Sequence, residues 1–305
     1  MSAWRLAAVA AFLAHPFAAG AGQPVTATPA TLADVLAHVT AGTTIKLAPG
    51  DYAPVMLKEH HWSPPVVVEA GDAVLVGLRL TKVSGLTWHG GRFDGGEVER
   101  SGFNVTDADH LVIDGVRFVR FTRNGIGLGR VSDARVTNNV FTDMGSDGID
   151  IAMSRRVVVD HNRCVDFHPT VGAHPDCVQL WSRPTDAPTA DIVISNNEAT
   201  GDMQGFTAFN HVRPDASGIP VNDGGFDRIT IENNIAKVSS YHGVTLAECR
   251  DCIVRHNRAQ SLPNPAFPRA RAWIKVIGGA NVVNCDNLAE SFPRDPGRGR
   301  CPADR

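Results

Sequence analysis

The sequence predicts an all-β protein whose short strands wind into a solenoid. Three observations support this: a strand motif that recurs at near-constant spacing, a second strand in each repeat, and a turn-rich composition. The 305 residues include 29 Gly and 19 Pro, which favours frequent turns over long helices. Hydrophobic residues make up 43% and charged residues 20%, as in a globular rather than a disordered protein.

The first recurring strand is rich in β-branched residues and ends in a polar turn that usually carries Asn. Its copies are LVIDGVRF (111–118), RVTNNVF (135–141), VVVDHNRC (157–164), IVISNNEA (192–199), ITIENNIA (229–236), CIVRHNRA (252–259) and VVNCDNLA (282–289). The turns are marked by Gly115, Asn139, Asn162, Asn197, Asn234, Asn257 and Asn287, at spacings of 24, 23, 35, 37, 23 and 30 residues. A base period of 23–24 residues with loop insertions is typical of a solenoid.

The repeated Asn residues are predicted to be structural. An Asn side chain tolerates the left-handed backbone of a tight turn, and identical amides in stacked coils can hydrogen-bond in a ladder. We therefore expect Asn139→Ala to lower stability, and we assign none of these residues to chemistry.

The two ends of the chain have patterns of their own. Arg5, an apolar run at 6–13 and small residues at 19–21 are typical of a signal peptide. We expect residues 1–21 to be that signal, 22–290 to be the solenoid domain, 291–305 to be a C-terminal tail, and the protein to be secreted or periplasmic. The apolar run is shorter than the roughly 20 residues of a membrane span, so no membrane attachment is expected after signal removal.

Charge and cysteine content narrow the partners and the compartment. The formal net charge is −3, and the sequence contains no run of basic residues of the kind that binds a phosphate backbone, so nucleic acid is not an expected partner. We expect the protein to be a monomer. An exported chain can form disulfides, and Cys249 and Cys252 are close enough in sequence for a local bridge. A bond between Cys285 and Cys301 would hold the tail.

The N-terminal passage carries a family resemblance. TLADVLAHV (31–39) predicts a short amphipathic helix, and AGTTIKLAPGDY (41–52) predicts a strand with a Pro-Gly turn, so that residues 30–52 would cap the first coil. With the repeats, this passage resembles the exported pectate-lyase-like superfamily, which includes polysaccharide lyases, polygalacturonases and alginate epimerases. The resemblance spans about residues 30–290 and implies a single-stranded right-handed parallel β-helix that acts on carbohydrate.

A second strand recurs in each repeat and places polar residues in columns. Its copies are GIGLGR (125–130), GIDIAM (148–153), CVQLWS (177–182), GFTAFN (205–210), GVTLAE (243–248) and WIKVIG (273–278). Alternation predicts an outward column of Gly127, Asp150, Gln179, Thr207, Thr245 and Lys275. A second column directly precedes these strands: Asn124, Asp147, Asp176, Gln204, His242 and Ala272. Insertions at 167–176, 182–190, 210–225 and 261–272 flank the columns and are predicted to form the walls of a cleft.

The columns contain the candidate site residues. The candidate catalytic residues are His174, Asp176, His242 and Asp147, since imidazoles and paired carboxylates transfer protons. The candidate substrate-binding residues are Gln179, Gln204, Asn210, His211, Arg213, Tyr241, Arg271, Lys275 and Trp181. Asp147, Asp150 and Asp176 also offer oxygen ligands for Ca²⁺, although the sequence contains no EF-hand or nonapeptide calcium motif.

Three functions fit these residues, and the first is favoured. A polysaccharide lyase, or a related uronate-acting enzyme such as a C5-epimerase, would use His174, His242 or Tyr241 as acid or base. Arg213, Arg271 or Lys275 would neutralise the substrate carboxylate of an acidic polysaccharide. A glycoside hydrolase would instead use Asp147 and Asp176 on either side of the scissile bond. A non-catalytic protein would bind sugar by stacking on Trp181, Phe209 and Trp273.

Short motifs resemble both enzyme classes. GSDG (145–148), PDC (175–177), YHG (241–243) and WIK (273–275) are similar in position to motifs of polygalacturonases. Pro175 replaces one of their paired Asp residues, Trp273 replaces their Arg, and an additional coil with Gln204 intervenes. His-Pro-Asp at 174–176 is similar to a permuted Asp-Pro-His element of alginate epimerases.

Overall fold

The computed structural model describes residues 24–98, 100–182, 187–210, 213–214, 220–221, 224–264, 268–293 and 299–301, with the backbone alone at 213–214 and 220–221. One helix, α1 (Leu32–His38), and 29 strands lie in these segments. The strands of the first half are β1 (Val25–Ala27), β2 (Thr44–Leu47), β3 (Gly50–Tyr52), β4 (Val55–Glu69), β5 (Ala73–Leu75), β6 (Leu78–His89), β7 (Arg92–Asp94), β8 (Ser101–Asp114), β9 (Arg117–Val119), β10 (Asn124–Thr137), β11 (Val140–Thr142), β12 (Asp147–Ala152), β13 (Arg155–Asp160) and β14 (Arg163–Val165).

The remaining strands follow in the second half. They are β15 (Asp176–Trp181), β16 (Thr189–Ser195), β17 (Glu198–Gly201), β18 (Gln204–Phe209), β19 (Arg213–Pro214), β20 (Pro220–Val221), β21 (Phe226–Glu232), β22 (Ile235–Val238), β23 (His242–Ala247), β24 (Cys249–Arg250), β25 (Ile253–Arg255), β26 (Arg258–Ser261), β27 (Trp273–Ile277), β28 (Val283–Cys285) and β29 (Leu288–Ala289). The short pair β19–β20 is antiparallel, and the other described pairings are parallel.

The strands stack into coils with three faces. The long strand β10 covers two faces, because its first half pairs with β12 and its second half with β13. The third face is the ten-stranded sheet of β3, β5, β7, β9, β11, β14, β17, β22, β26 and β29. We call the face that contains the first half of β10 together with β12, β15, β18, β23 and β27 the front face. The described coils therefore confirm the predicted parallel β-helix.

Alternating side chains of the front face fill the core. Ile126, Leu128, Ile149, Ile151, Val178, Leu180, Phe206, Ala208, Val244, Leu246, Ile274 and Val276 are all buried. Burying one such Ile or Leu side chain contributes about 1.5–3 kcal/mol. Inside the coils Phe118 stacks on Phe93 and on Phe141, with ring centroids 5.3 and 5.0 Å apart. The predicted alternation is confirmed, and the opposite side chains of these strands remain available for a site.

A ladder of amides runs through the stack. Each Asn donates from Nδ2 to Oδ1 of the Asn in the next coil, at 2.9–3.1 Å, along Asn139, Asn162, Asn197, Asn234, Asn257 and Asn287. The ladder is buried and confirms the structural role of these residues. The left-handed backbone falls one residue earlier than predicted, for example at Asn138 and His161, which leaves the ladder residue free to turn its amide inward.

The ladder leads to a stability prediction. Asn139→Ala should lower the free energy of unfolding by about 1–3 kcal/mol, because Val116 N–H and Asn162 Oδ1 lose partners in a buried place. Denaturant unfolding followed by circular dichroism measures the change. Asn104→Ala is the matched control, since Asn104 makes no side-chain hydrogen bond to the residues that the structure describes. Equal losses in the two variants would contradict the ladder's role.

The N-terminal helix and the disulfides follow the sequence in part. Helix α1 lies within the predicted 31–39 and buries Leu32 and Leu36, but the predicted strand at 41–52 is divided into β2 and β3. The bonds Cys249–Cys252 and Cys285–Cys301 form as predicted. A third bond, Cys164–Cys177, leaves none of the six cysteines free.

Candidate functional site on the front face

Outward polar residues of the front face stand in register across the coils. Asp150 lies opposite Gln179, Gln179 opposite Thr207, Thr207 opposite Thr245, and Thr245 opposite Lys275. In the preceding column Asp176 lies opposite Gln204. The last member of that column differs from the prediction, because a register shift after His242 places Trp273 opposite it and Ala272 is buried in the core.

Asp176 is the centre of a buried hydrogen-bond network. Its side chain is 0% exposed, and its two carboxylate oxygens accept from Thr207 Oγ1 at 2.6 Å and Gln179 Nε2 at 2.9 Å. Its backbone N–H donates to Asp147 Oδ1 at 2.7 Å. The network holds Asp147 and Asp176 together, as adjacent coils predict. It also places Asp176 beneath the surface of the groove.

Three neighbouring carboxyl groups have raised pKa values. Burial raises the pKa of Asp147 to about 7, and the Asp176 charge adds to this shift. Burial and the Asp147 charge raise the pKa of Asp150 to about 8. Burial raises the pKa of Asp176 to about 6 against the hydrogen bonds that it accepts. These raised values favour a protonated carboxyl group at Asp150 near neutral pH.

His174 lies over Asp176 at the surface. Its Nδ1 is 3.7 Å from Asp176 Oδ2, and its side chain is 72% exposed. The interaction with Asp176 raises the pKa of His174 to about 9. A disulfide between Cys164 and Cys177 closes the loop that carries both residues. The pair therefore offers a cation at neutral pH rather than a free base.

Three chemically active side chains surround the ring of Trp273. The Tyr241 ring stacks on it at 5.3 Å between centroids, and the His242 ring meets it at 4.8 Å and 88°. The ammonium of Lys275 lies 4.7 Å from the Trp273 ring centroid. A phenol, an imidazole and an ammonium thus converge at one point of the front face. We call these four residues the Trp273 cluster.

His242 is held in place and stays neutral. Its Nδ1 is 2.9 Å from Thr245 Oγ1, and the Phe209 ring packs edge-on against the imidazole at 5.2 Å. Burial lowers the pKa of His242 to about 4, with further lowering by Lys275 and His174. His242 is therefore an uncharged imidazole at neutral pH, in contrast to His174.

An open groove of about 440 Å³ adjoins the cluster. It is lined by His174, Gln179, Leu180, Trp181, Ser182, Gln204 and Phe209. Trp181 lies opposite Phe209 on the next strand and is 45% exposed. The groove thus combines an aromatic surface with amides and a cation, and Phe209 connects it to His242.

The other predicted binding residues lie elsewhere. Asn210 donates from Nδ2 to the Glu248 carbonyl at 3.2 Å, which ties together two coils. Arg271 is 3.9 Å from Glu290 and 60% exposed. His211 is outside the described residues, and at Arg213 the backbone alone is described, as part of β19. Arg123 was not among the predicted site residues, although its positive charge acts to lower the pKa of Asp150. Its position directly before Asn124, the first residue of the second polar column, was the signal that could have identified it.

Binding of Ca²⁺ by Asp147, Asp150 and Asp176 stays a prediction. Within the described segments, the one group of three ligand atoms lying within 4.8 Å of one another is His256, Asp286 and Cys301. Cys301 is bonded to Cys285 and so cannot act as a thiolate ligand. Asp176 already directs both oxygens to Thr207 and Gln179.

Comparison with known proteins identifies the family. The model of the right-handed β-helix region matches residues 76–267, which is more than half of the chain. The chain belongs to the right-handed β-helix family. No curated protein sequence matches it. Within the described part of this β-helix protein, no helix has the length and apolar character needed to cross a membrane.

Several solved structures are similar to this chain at low sequence identity. An alginate lyase from Paenibacillus sp. str. FPU-7 is 17% identical, with a TM-score of 0.53, and the match covers 88% of this chain and 97% of that one. A Yersinia enterocolitica family 28 exopolygalacturonase is 10% identical, with a TM-score of 0.44, and the match covers 92% of this chain and 78% of that one. A pectate lyase is 13% identical, with a TM-score of 0.42, and the match covers 93% of this chain and 83% of that one. At 17% identity the likeness to the alginate lyase shows the fold alone, which is a right-handed parallel β-helix.

Proposed function

We propose that this β-helix protein is a carbohydrate-active enzyme that cleaves an acidic polysaccharide by β-elimination. The observation that carries the proposal is the Trp273 cluster, in which Tyr241, His242 and Lys275 converge beside an open groove. These are the groups that elimination on a uronate requires: a cation, a proton acceptor and a proton donor.

The chemistry follows from the charge on the substrate. Removal of the C5 proton of a uronate places negative charge on the adjacent C6 carboxylate, and elimination then expels the glycosidic oxygen at C4. Lys275 would compensate the growing carboxylate charge, because a preorganised cation stabilises a transition state in which charge develops. The Tyr241 oxygen would accept the C5 proton and pass it to the C4 oxygen as that bond breaks, and His242 would hydrogen-bond to the substrate carboxylate.

The groove would bind the neighbouring sugars. Trp181 and Phe209 provide a stacking surface, and Gln179 and Gln204 provide amides. His174 would attract the substrate's carboxylates, since Asp176 keeps it protonated. From Gln179 to Lys275 the strip crosses three coil spacings, or about 14 Å, which accommodates several sugar units of a polymer.

Asp176 has a positioning role in this proposal. It is fully buried and both of its oxygens are occupied, so it acts through His174, Thr207 and Gln179 rather than on the substrate. The removal of residues 1–21 and export of the enzyme remain part of the proposal, and three disulfides suit an oxidising compartment.

One experiment distinguishes the candidate functions. The purified protein is incubated with alginate, polygalacturonate and other acidic polysaccharides, and ultraviolet absorbance and reducing ends are followed together. Elimination produces an unsaturated uronate, so absorbance should rise with the reducing ends. Binding without either signal would contradict the enzymatic proposal and support a carbohydrate-binding function.

Hydrolysis is the second candidate, and one observation favours it. Burial raises the pKa of Asp147 to about 7, which is the range of a general acid in glycoside hydrolysis. Asp147 is also less buried than its partner Asp176. Reducing ends without new absorbance, lost in Asp147→Asn and retained in Lys275→Met, would select hydrolysis over elimination.

A further inference from the structure

The hydroxyl of Thr245 has two hydrogen-bond partners. The side chain is 0% exposed, so no solvent completes its bonding. Trp273 Nε1 lies 3.1 Å from Thr245 Oγ1, and His242 Nδ1 lies 2.9 Å from the same oxygen. These are its partners among the residues that the structure describes, and they decide where the hydroxyl proton points.

The two partners are not equivalent as donors and acceptors. An indole N–H only donates, so Thr245 Oγ1 must accept from Trp273. The hydroxyl has one proton, and a buried donor without an acceptor is costly. His242 Nδ1 is the acceptor within reach, and it accepts only when it carries no proton. In the neutral imidazole the proton then sits on Nε2.

We infer that Thr245 is a positioning residue that holds His242 as the Nε2–H tautomer. In this form His242 presents a neutral N–H donor to the carboxylate of a uronate substrate and does not act as the base. The substrate named in this inference rests on the proposed function, whereas the tautomer of His242 rests on hydrogen-bond geometry alone.

The surroundings of His242 agree with a fixed, neutral donor. The rings of Phe209 and Trp273 meet the imidazole at 80° and 88°, which restricts its plane from two sides. Nε2 has no hydrogen-bond partner among the described residues. Burial and nearby Lys275 lower the pKa of His242, so the ring remains neutral while it donates. A neutral imidazole that donates in this way is an established type of electrophilic group.

The tautomer can be measured without any substrate. Nitrogen-15 NMR of the whole protein labelled at histidine distinguishes protonated from unprotonated ring nitrogens, and the His242→Gln variant assigns the signal. Wild type and Thr245→Ser should show Nε2–H, since both keep the hydroxyl. Thr245→Val has the same shape without the hydroxyl and should shift His242 toward Nδ1–H. Thr230→Val, on another face of the coils, should leave the signal unchanged.

Two results would overturn the inference. The first is a wild-type His242 that carries its proton on Nδ1, and the second is an unchanged tautomer in Thr245→Val.

Turnover of alginate or polygalacturonate oligosaccharides adds a separate readout. His242→Ala should lower kcat by about 10²–10³-fold, as expected for a lost transition-state donor, and Thr245→Ser should retain more activity than Thr245→Val. If no polysaccharide is cleaved, the proposed function fails while the NMR result still decides the tautomer.

Discussion

Lys275→Met is expected to lower kcat/KM by about 10²–10³-fold on the polysaccharide that the enzyme cleaves, with the fold retained. The ammonium lies over the Trp273 ring beside Tyr241 and His242, where the proposed elimination places negative charge. Met keeps an unbranched side chain of nearly the same length and removes the ammonium group. Initial rates from absorbance at several substrate concentrations measure the loss, and circular dichroism checks the fold.

Two further variants make the Lys275 result specific. Lys275→Arg keeps the positive charge and should restore part of the activity. Lys237→Met makes the same exchange in β22 on the third face and should leave activity unchanged. Near-normal turnover in Lys275→Met would show that the site of elimination lies elsewhere on the front face.

Asp150→Asn is expected to stabilise the protein at about pH 8 and to change little at about pH 4. An acid with a higher pKa in the folded than in the unfolded chain destabilises the fold as the pH rises between the two values. For Asp150 this interval runs from the ordinary 3.8 to about 8. At about pH 8 the free energy of unfolding should rise by at least about 1 kcal/mol in the variant, since one pKa unit corresponds to about 1.4 kcal/mol.

A second carboxylate provides the matched control with the opposite sign. The hydrogen bond from Arg156 lowers the pKa of Asp133, so its charge stabilises the fold above the ordinary pKa and that stability is lost as the pH falls. Asp133→Asn should therefore destabilise at about pH 8. Denaturant unfolding of both variants and wild type across this pH range tests the signs. A pH-independent effect of Asp150→Asn would contradict the buried carboxyl network.

Much of the fold could be predicted because each coil repeats local signals. The alternation in GIDIAM and CVQLWS indicated which side chains are buried, and the recurring Asn indicated a ladder. The columns from Asp150 to Lys275 also followed from that register. The prediction was wrong at Ala272, where a register shift places Trp273 beside His242.

The roles within the site were harder to predict. His174, Asp176 and His242 were treated alike as candidates for catalysis, yet one is a surface cation, one is a buried anchor and one is a neutral ring. Their differences arise from burial and from hydrogen bonds that no motif encodes. The Trp273 cluster likewise depends on the direction of three side chains from two coils.

The amino-acid sequence alone was therefore sufficient for the coil, its period and the face that carries polar residues. Those properties depend on the alternation of apolar and polar residues and on contacts between adjacent repeats, both of which are determined by short stretches of sequence. Only the folded structure decided which polar groups meet, such as Thr207 with Asp176 and Trp273 with Thr245, which are 31 and 28 residues apart. Loop insertions of unequal length separate these partners, so their meeting and the protonation that results from it depend on the stacked coils as a whole.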